Sequence, residues 1–260
     1  MRSAAHIRSH PIHPFLVTFP VAFFTGAAVT DVIAFAGGWH SLHAVAYYMC
    51  WAGVAGGVLA AVPGVIDYIK TVPPQSSAAR RGAKHAIANT VVLLLFVSVI
   101  ILRKTGFEWY ILIPELVATA TMYYSAWMGA TLVSRNQIGI DHRYAEAGKW
   151  KELRVKDPVF PLLVAEKDEL VVNQMKLLVL GRRRLVLART ENRYVVFDDR
   201  CTHRGGSLAG GVMMRCVVHC PWHGSQYDVN SGECVAGPAE VGIQVYHVTE
   251  QHGRVFLQQP

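Results

Sequence analysis

Before residue 134 the chain carries four apolar runs, at 14–36, 44–69, 85–102 and 109–133. Each comes close to, or exceeds, the roughly 20 residues needed to cross a bilayer. Backbone in lipid has no water to bond, so runs of this kind can fold only as helices packed side by side. The first run is too long for a cleaved leader, contains Asp31 and is followed at once by more apolar sequence, so it reads as a span. The whole chain is 52% hydrophobic with a mean hydropathy of +0.26, beyond a typical soluble protein. The expectation for residues 1–133 is an all-α four-helix transmembrane bundle.

Basic residues set the orientation of such a bundle. Arg2 and Arg8 precede the first run, Lys70, Arg80, Arg81 and Lys84 lie between the second and third, and Arg135, Arg143 and Lys149 follow the fourth. The other two connections hold none and only Arg103 with Lys104, respectively. Both termini are therefore expected to be cytoplasmic. The net charge of +7 divides into +5 over 1–150 and +2 over 151–260. That distribution fits anionic lipid headgroups and argues against nucleic acid as a partner.

Most features inside the runs read as packing. Gly53 and Gly57 let a neighbouring helix approach closely, and Pro20 and Pro63 are expected to kink their helices. Ionisable groups in a membrane call for more explanation. His10 and His13 open the first run, Asp67 lies near the end of the second, and His85 opens the third with Asn89 four residues on, on the same face. The opposite side has a thinner set, Asp31, His40 and His43. Two readings stay open. Either these are interfacial residues and caps with Asp67 paired locally, or His13 and His85 face each other to ligate a haem b, or line a quinone pocket with Asp67 as proton acceptor.

Residues 134–161 mix charges with glycine and end in Asp157-Pro158-Val159-Phe160-Pro161, a connector with an extended end. A short surface helix is expected around 144–153, with Trp150 towards the membrane. Beyond the connector, β-rich runs at 184–188, 194–197, 216–219, 226–229, 244–248 and 254–257 alternate with turn residues, as in a small all-β sandwich or barrel over 162–260. Arg182-Arg183-Arg184 reads as a solvated turn.

That β region holds Cys201-Thr202-His203 and, after sixteen intervening residues, Cys220-Pro221-Trp222-His223. A Cys2His2 set can hold a structural zinc, but zinc fingers pair like ligands, whereas here each loop contributes one thiol and one imidazole. Glycines after each histidine would let both backbones approach a cluster closely. Residues 162–259 resemble the Rieske family, and Cys-Pro-Trp-His-Gly-Ser is close to the second loop of its ferredoxin-like branch. The resemblance implies a [2Fe–2S] cluster with Cys201 and Cys220 on one iron and His203 and His223 on the other. It also implies that Ser225 and Tyr227 donate hydrogen bonds to the cluster, as in the quinol-oxidising members. The disulfide that braces the cluster of respiratory members is missing, its places falling at Gly206 and Trp222. Cys216 and Cys234 read as buried small hydrophobes, and Cys50 lies in an apolar run.

The opening His10-Pro11-Ile12-His13-Pro14 resembles an uncharacterised family of four-span bacterial membrane proteins that begin His-Pro-x-His-Pro and are sometimes fused to Rieske domains. The two resemblances together imply a protein of the bacterial inner membrane whose Rieske domain is cytoplasmic. It would pass one electron at a time between a membrane redox partner, quinone or haem, and a soluble donor or acceptor. His203 and His223 would be the exit point, with Trp222 and Arg204 on the docking rim. A small quinol or quinone oxidoreductase and a tethered redox sensor are the alternatives. The catalytic domain of a Rieske oxygenase is not expected.

Overall fold

The computed structural model describes residues 2–105, 108–140 and 150–260. It divides into two compact units. One holds Ser3–Val72 and Ala79–Ser134; the other holds Arg135–Pro260 with Arg2 and the short segment Pro73–Ala78.

The helical unit opens with a small hairpin, β1 (His6–Ile7) and β2 (His10–Pro11), turned by Arg8 and Ser9 in the left-handed region. Then come α1 (Ile12–Leu16), α2 (Thr18–Gly37), α3 (Leu42–Lys70), α4 (Ser77–Leu102) and α5 (Glu108–Ser134). Pro20 sits in the first turn of α2, where a missing N–H is tolerated, so the expected kink appears as the break between α1 and α2. Gly38 closes α2 at φ 67°, returning its N–H to the Ala34 carbonyl.

Small residues on α3 decide the packing. A Cβ on Gly53 would lie 2.4 Å from Phe24 of α2, one on Gly57 2.7 Å from Leu93 of α4, and one on Gly64 2.9 Å from His13 of α1. A single helix thus seats side chains from three neighbours. Phe24 and Phe96 stack with ring centroids 3.7 Å apart, in a buried cluster with Ala27, Ala46, Val92 and Val99.

Three helical stretches, Ile12–Gly37, Leu42–Lys70 and Ser77–Leu102, are long and apolar enough to cross a membrane. The fourth expected span exists as α5, 27 residues long, but polar residues dilute it below that standard. Glu115 and Ser125 are fully buried and Thr119 nearly so, while Ile113, Val117, Tyr124 and Trp127 of the same helix are exposed.

The second unit is all β. A five-stranded sheet runs in the order β12 (Val245–Tyr246), β7 (Tyr194–Asp198), β6 (Arg183–Arg189), β5 (Met175–Leu180) and β3 (Lys151–Val155). A three-stranded sheet, β13 (Val248–Gln251), β14 (Arg254–Leu257) and β4 (Leu162–Glu166), shares its core through Val164, Leu178, Leu187, Val196, Val255 and Leu257. A separate four-stranded sheet, β11 (Cys234–Ala236), β10 (Gln226–Asp228), β9 (Val217–His219) and β8 (Val212–Met214), carries the second cysteine–histidine loop.

Residues 151–153, expected to end a surface helix, instead open β3, which runs to Val155 parallel to β5 in register Lys151↔Lys176 to Val155↔Leu180. The alternation Leu153, Val155 towards the core explains this, since both pack on the sheet interior. The rest of that expected helix, 144–149, lies outside the described residues. Arg184 also departs from expectation: it pairs with buried Asp199 at 2.8 Å instead of standing in a solvated turn.

Candidate metal centre

Two loops of matching geometry carry the four candidate ligands. In each, the cysteine N–H bonds to the carbonyl five residues on, Gly206 at 2.8 Å and Ser225 at 2.8 Å. The cysteine carbonyl in turn accepts from the glycine four residues on, Gly205 at 2.8 Å and Gly224 at 3.1 Å. Both glycines have positive φ, 76° and 78°, which side chains rarely adopt. Each loop therefore curls around its own thiol, leaving N–H groups facing the sulfur.

The four side chains meet as two like pairs. Cys201 and Cys220 are buried, and their thiols lie close enough to act on each other. His203 and His223 stand with ring centroids 4.9 Å apart, nearly perpendicular at 84°. Among the described residues no three His, Cys, Asp or Glu side chains converge on one point, as a single zinc would require. A centre with two metals, one ligated by thiolates and one by imidazoles, suits this arrangement. His203 Nδ1 fits it further, being buried and without a hydrogen-bond partner.

Electrostatics prepares the thiol pair. Cys201 is drawn down to about 5 by the neighbouring Cys220 thiol, assisted by the Tyr227 hydroxyl and the N–H groups of His203 and Arg204 and opposed by burial. Cys201 in turn, together with burial, pushes Cys220 up. One thiolate is thus ready at neutral pH, the form that binds metal. Burial, and then the neighbouring His203, lower His223. A neutral imidazole is what coordination requires.

Tyr227 is fully buried beneath the first loop, its hydroxyl 3.1 Å from Cys201 Sγ and 3.0 Å from Thr202 Oγ1. Burial first, then the contact with Cys201, raise its own pKa. Ser225, also fully buried, accepts from the Ala239 N–H at 3.1 Å, which leaves its own hydrogen to donate. The places of the missing brace lie against each other: a Cβ on Gly206 would be 2.8 Å from the Trp222 indole. Tryptophan on glycine thus fills the space between the loops. Trp222 is consequently only 7% exposed and does not form a docking rim, whereas Arg204 and His223 are exposed.

Two residues outside the sequence pattern hold the first loop. Asp199 is 1% exposed, pairs with Arg184, and accepts from Ser207 Oγ at 2.7 Å and the Ala209 N–H at 2.8 Å. The only sequence signal for Asp199 was its place two residues before Cys201, and Arg184 gave none. The segment Pro73–Ala78 adds to this side of the unit, with Arg200 donating to the Gln75 carbonyl at 3.0 Å and the Ser77 N–H to the Arg204 carbonyl at 3.1 Å.

In the helical unit His13 and His85 do come together, with ring centroids 6.3 Å apart at 85°. Asn89 Nδ2 lies 3.0 Å from His85 Nε2. Asp67 faces elsewhere. It accepts from Ser3 Oγ at 2.7 Å, the N–H groups of Ala4 and Ala5 at 2.8 and 3.0 Å, and Thr71 Oγ1 at 3.1 Å. Its lone pairs anchor the N-terminal segment, so these contacts give no support to the proton-acceptor reading.

A second polar cluster is larger than the sequence suggested. Buried Asp31 accepts from Arg103 and from His43 Nδ1 at 2.8 Å, while Arg103 also reaches buried Glu115 at 3.3 Å and Cys50 bonds Glu115 at 3.5 Å. Arg103, read as a loop cation, is only 7% exposed at its side chain. Paired charges of this kind are how a helical interior accommodates ionised groups.

Comparison with known proteins matches residues 9–142 to the family described as "Predicted membrane protein (DUF2231)" and residues 160–247 to the Rieske [2Fe–2S] domain. Ferredoxin CarAc of Metapseudomonas resinovorans is 30% identical over 78 residues, 30% of this chain and 73% of that protein. The ferredoxin component of the naphthalene 1,2-dioxygenase system of Pseudomonas putida is 28% identical over 94 residues, 36% of this chain and 89% of that one. Human Apoptosis-inducing factor 3 is 26% identical over 94 residues, of which the chain spans only 16% of the length. Among solved structures, the Sphingomonas yanoikuyae B1 ferredoxin aligns over 38% of this chain and 99% of its own at 25% identity, TM-score 0.37. With more than half its length matched at the N-terminal side and a cluster-binding domain following, the chain belongs to the DUF2231 family of predicted membrane proteins and carries a Rieske [2Fe–2S] domain.

Proposed function

We propose that this protein is a membrane-bound one-electron carrier. Cys201, His203, Cys220 and His223 hold its cluster, and the helices cross the bacterial inner membrane four times. The observation that carries the reading is the sorting of the four ligands into a buried thiol pair and an adjoining imidazole pair, on two loops of one geometry. A cluster so held supplies a single reversible electron at a potential above that of an all-cysteine centre. Around it, Tyr227 and Ser225 supply hydroxyls, Trp222 on Gly206 excludes water between the loops, and exposed His223 with Arg204 offers the edge at which a soluble partner docks.

Membrane insertion is supported by three spans of sufficient length and by α5, whose polar residues turn inwards while its apolar ones face out. The division falls at 1–133 for the spans, 134–161 for the connector, whose stretch Lys151–Val155 joins the sheet of the cluster domain as β3, and 162–260 for that domain. Both termini and the Rieske domain face the cytoplasm, by the distribution of Lys and Arg. The membrane partner is a quinone or a haem, and the soluble one a donor or acceptor of single electrons.

The test is a reductive titration of the full chain in detergent, followed by electron paramagnetic resonance. One electron per chain should develop the signal of a histidine-ligated cluster, and Cys201→Ser should abolish it. A signal persisting in Cys201→Ser, or uptake of zinc without iron, would sink the assignment. Reduction by a quinol with no other protein present would make the chain a quinol oxidoreductase.

A further inference from the structure

The helical unit repeats itself. His13, Phe24 and Asp31 of the first helical hairpin correspond to His85, Phe96 and Arg103 of the second, each 72 residues later. On the partner helices Cys50, Ala60 and Gly64 correspond to Glu115, Ser125 and Gly129, each 65 residues later. Corresponding residues touch each other: His13 with His85, Phe24 with Phe96, Asp31 with Arg103, Cys50 with Glu115. Contact between equivalent positions is the mark of a local two-fold axis.

The two histidines have equivalent backbone seats, with Ser125 Oγ an extra neighbour of His85 Nδ1 at 3.0 Å. His13 Nδ1 lies 2.8 Å from the Ala60 carbonyl, and a Cβ on Gly64, four residues on, would be 2.9 Å from its ring. His85 Nδ1 lies 2.9 Å from the Ser125 carbonyl, and a Cβ on Gly129, again four residues on, would be 3.0 Å from its ring. A carbonyl accepts only from N–H, so both rings carry their proton on Nδ1 and present a lone pair at Nε2. A backbone carbonyl holding one ring nitrogen while the other is left basic is the usual support of a metal-ligating histidine. His13 Nε2 bonds to no side chain among the described residues, and that of His85 is met by Asn89 at 3.0 Å.

We infer that His13 and His85 are the two axial ligands of a haem b bound on this axis. The separation allows ligation once the two Nε2 atoms turn towards each other: two imidazoles across one metal at about 2.0–2.1 Å, with about 1.1 Å from nitrogen to ring centre, place their centroids roughly 6 Å apart. The observed separation is 6.3 Å. The ligand count selects haem over a bare ion. No third His, Cys, Asp or Glu converges on the pair among the described residues, whereas zinc takes three or four protein ligands. A porphyrin brings four nitrogens and needs only two axial imidazoles. Asn89 must release His85 on binding, which makes it a competitor of the iron and not a ligand.

Such a haem is a one-electron carrier, its iron alternating between ferric and ferrous. As the membrane-side partner of the cluster it rests on the proposed function, but ligation itself does not. The experiment is titration of the full chain in detergent with iron protoporphyrin IX, read by optical and paramagnetic spectra. Saturation is expected at one haem per chain, with a low-spin ferric signal and a narrow α band on reduction. His13→Ala and His85→Ala should each lose the low-spin signal while keeping the cluster signal and elution volume, which shows that they fold. Asn89→Ala should bind several-fold tighter. Cys201→Ser should keep the haem, so that failure of the cluster reading and failure of this one are distinguishable. No low-spin species at about tenfold excess, its persistence in the double histidine variant, or binding of zinc or copper in preference to haem would overturn the inference.

Discussion

The two histidine pairs of this molecule are built on different kinds of backbone. His203 and His223 sit on glycine-turned loops at the edge of a β-sheet, each three or fewer residues from a cysteine. His13 and His85 sit on helices, and each finds its carbonyl and its glycine on a helix distant in sequence. Both pairs are perpendicular, at 84° and 85°. Loops gather local chemistry and announce it as a motif. Helices gather it by packing and leave only isolated letters.

The sharpest way to break this comparison is to delete ligands. Cys201→Ser, Cys220→Ser or His203→Ala is expected to remove the cluster signal entirely, whereas His13→Ala leaves it at wild-type amplitude. Cross-loss between the two pairs would mean that they are not independent sites. Next in size is the support of the first loop. Asp199→Ala strips the partner from half-buried Arg184 and two further donors, and should destabilise the β unit by about 3–5 kcal/mol in chemical denaturation.

Crowding tests the seats of the helical pair. Gly64→Ala and Gly129→Ala each bring a methyl to within 3.0 Å of an imidazole, and each should cost about 1–3 kcal/mol of thermal stability in detergent. An unequal response would argue against equivalent seats. The smallest effect concerns tuning. Tyr227→Phe removes the hydroxyl at 3.1 Å from Cys201 and should lower the cluster potential by about 40 mV, the one-electron equivalent of a hydrogen bond of about 1 kcal/mol. An unchanged potential would leave Tyr227 a packing residue.

The β half was the more legible. The β-rich runs identified strands β6, β7, β9, β10 and β14, because short stretches of apolar and β-branched residues bounded by turn residues read as strands. Strand β3 was missed for lack of a turn signal before it, and its pairing with β5 is parallel and non-local. Arg184 was misread because a charged triplet looks solvated until a buried carboxylate is found to meet one member. In the helices, hydropathy located every element but could not show which residues face inwards, so Glu115 and Arg103 went unnoticed as partners of Asp31.

By itself the sequence determined that the first half is helical and the second contains a cysteine–histidine cluster site. Long apolar runs admit few other folds, and adjacent ligands on a loop keep their spacing whatever the rest of the chain does. Only the tertiary structure decided that Trp222 packs on Gly206 in place of a disulfide, that Asp67 anchors the N-terminal segment, and that His13 and His85 occupy equivalent seats. Such contacts join residues 16 to 72 positions apart through packing, and packing depends on shape at both partners, which no local pattern records.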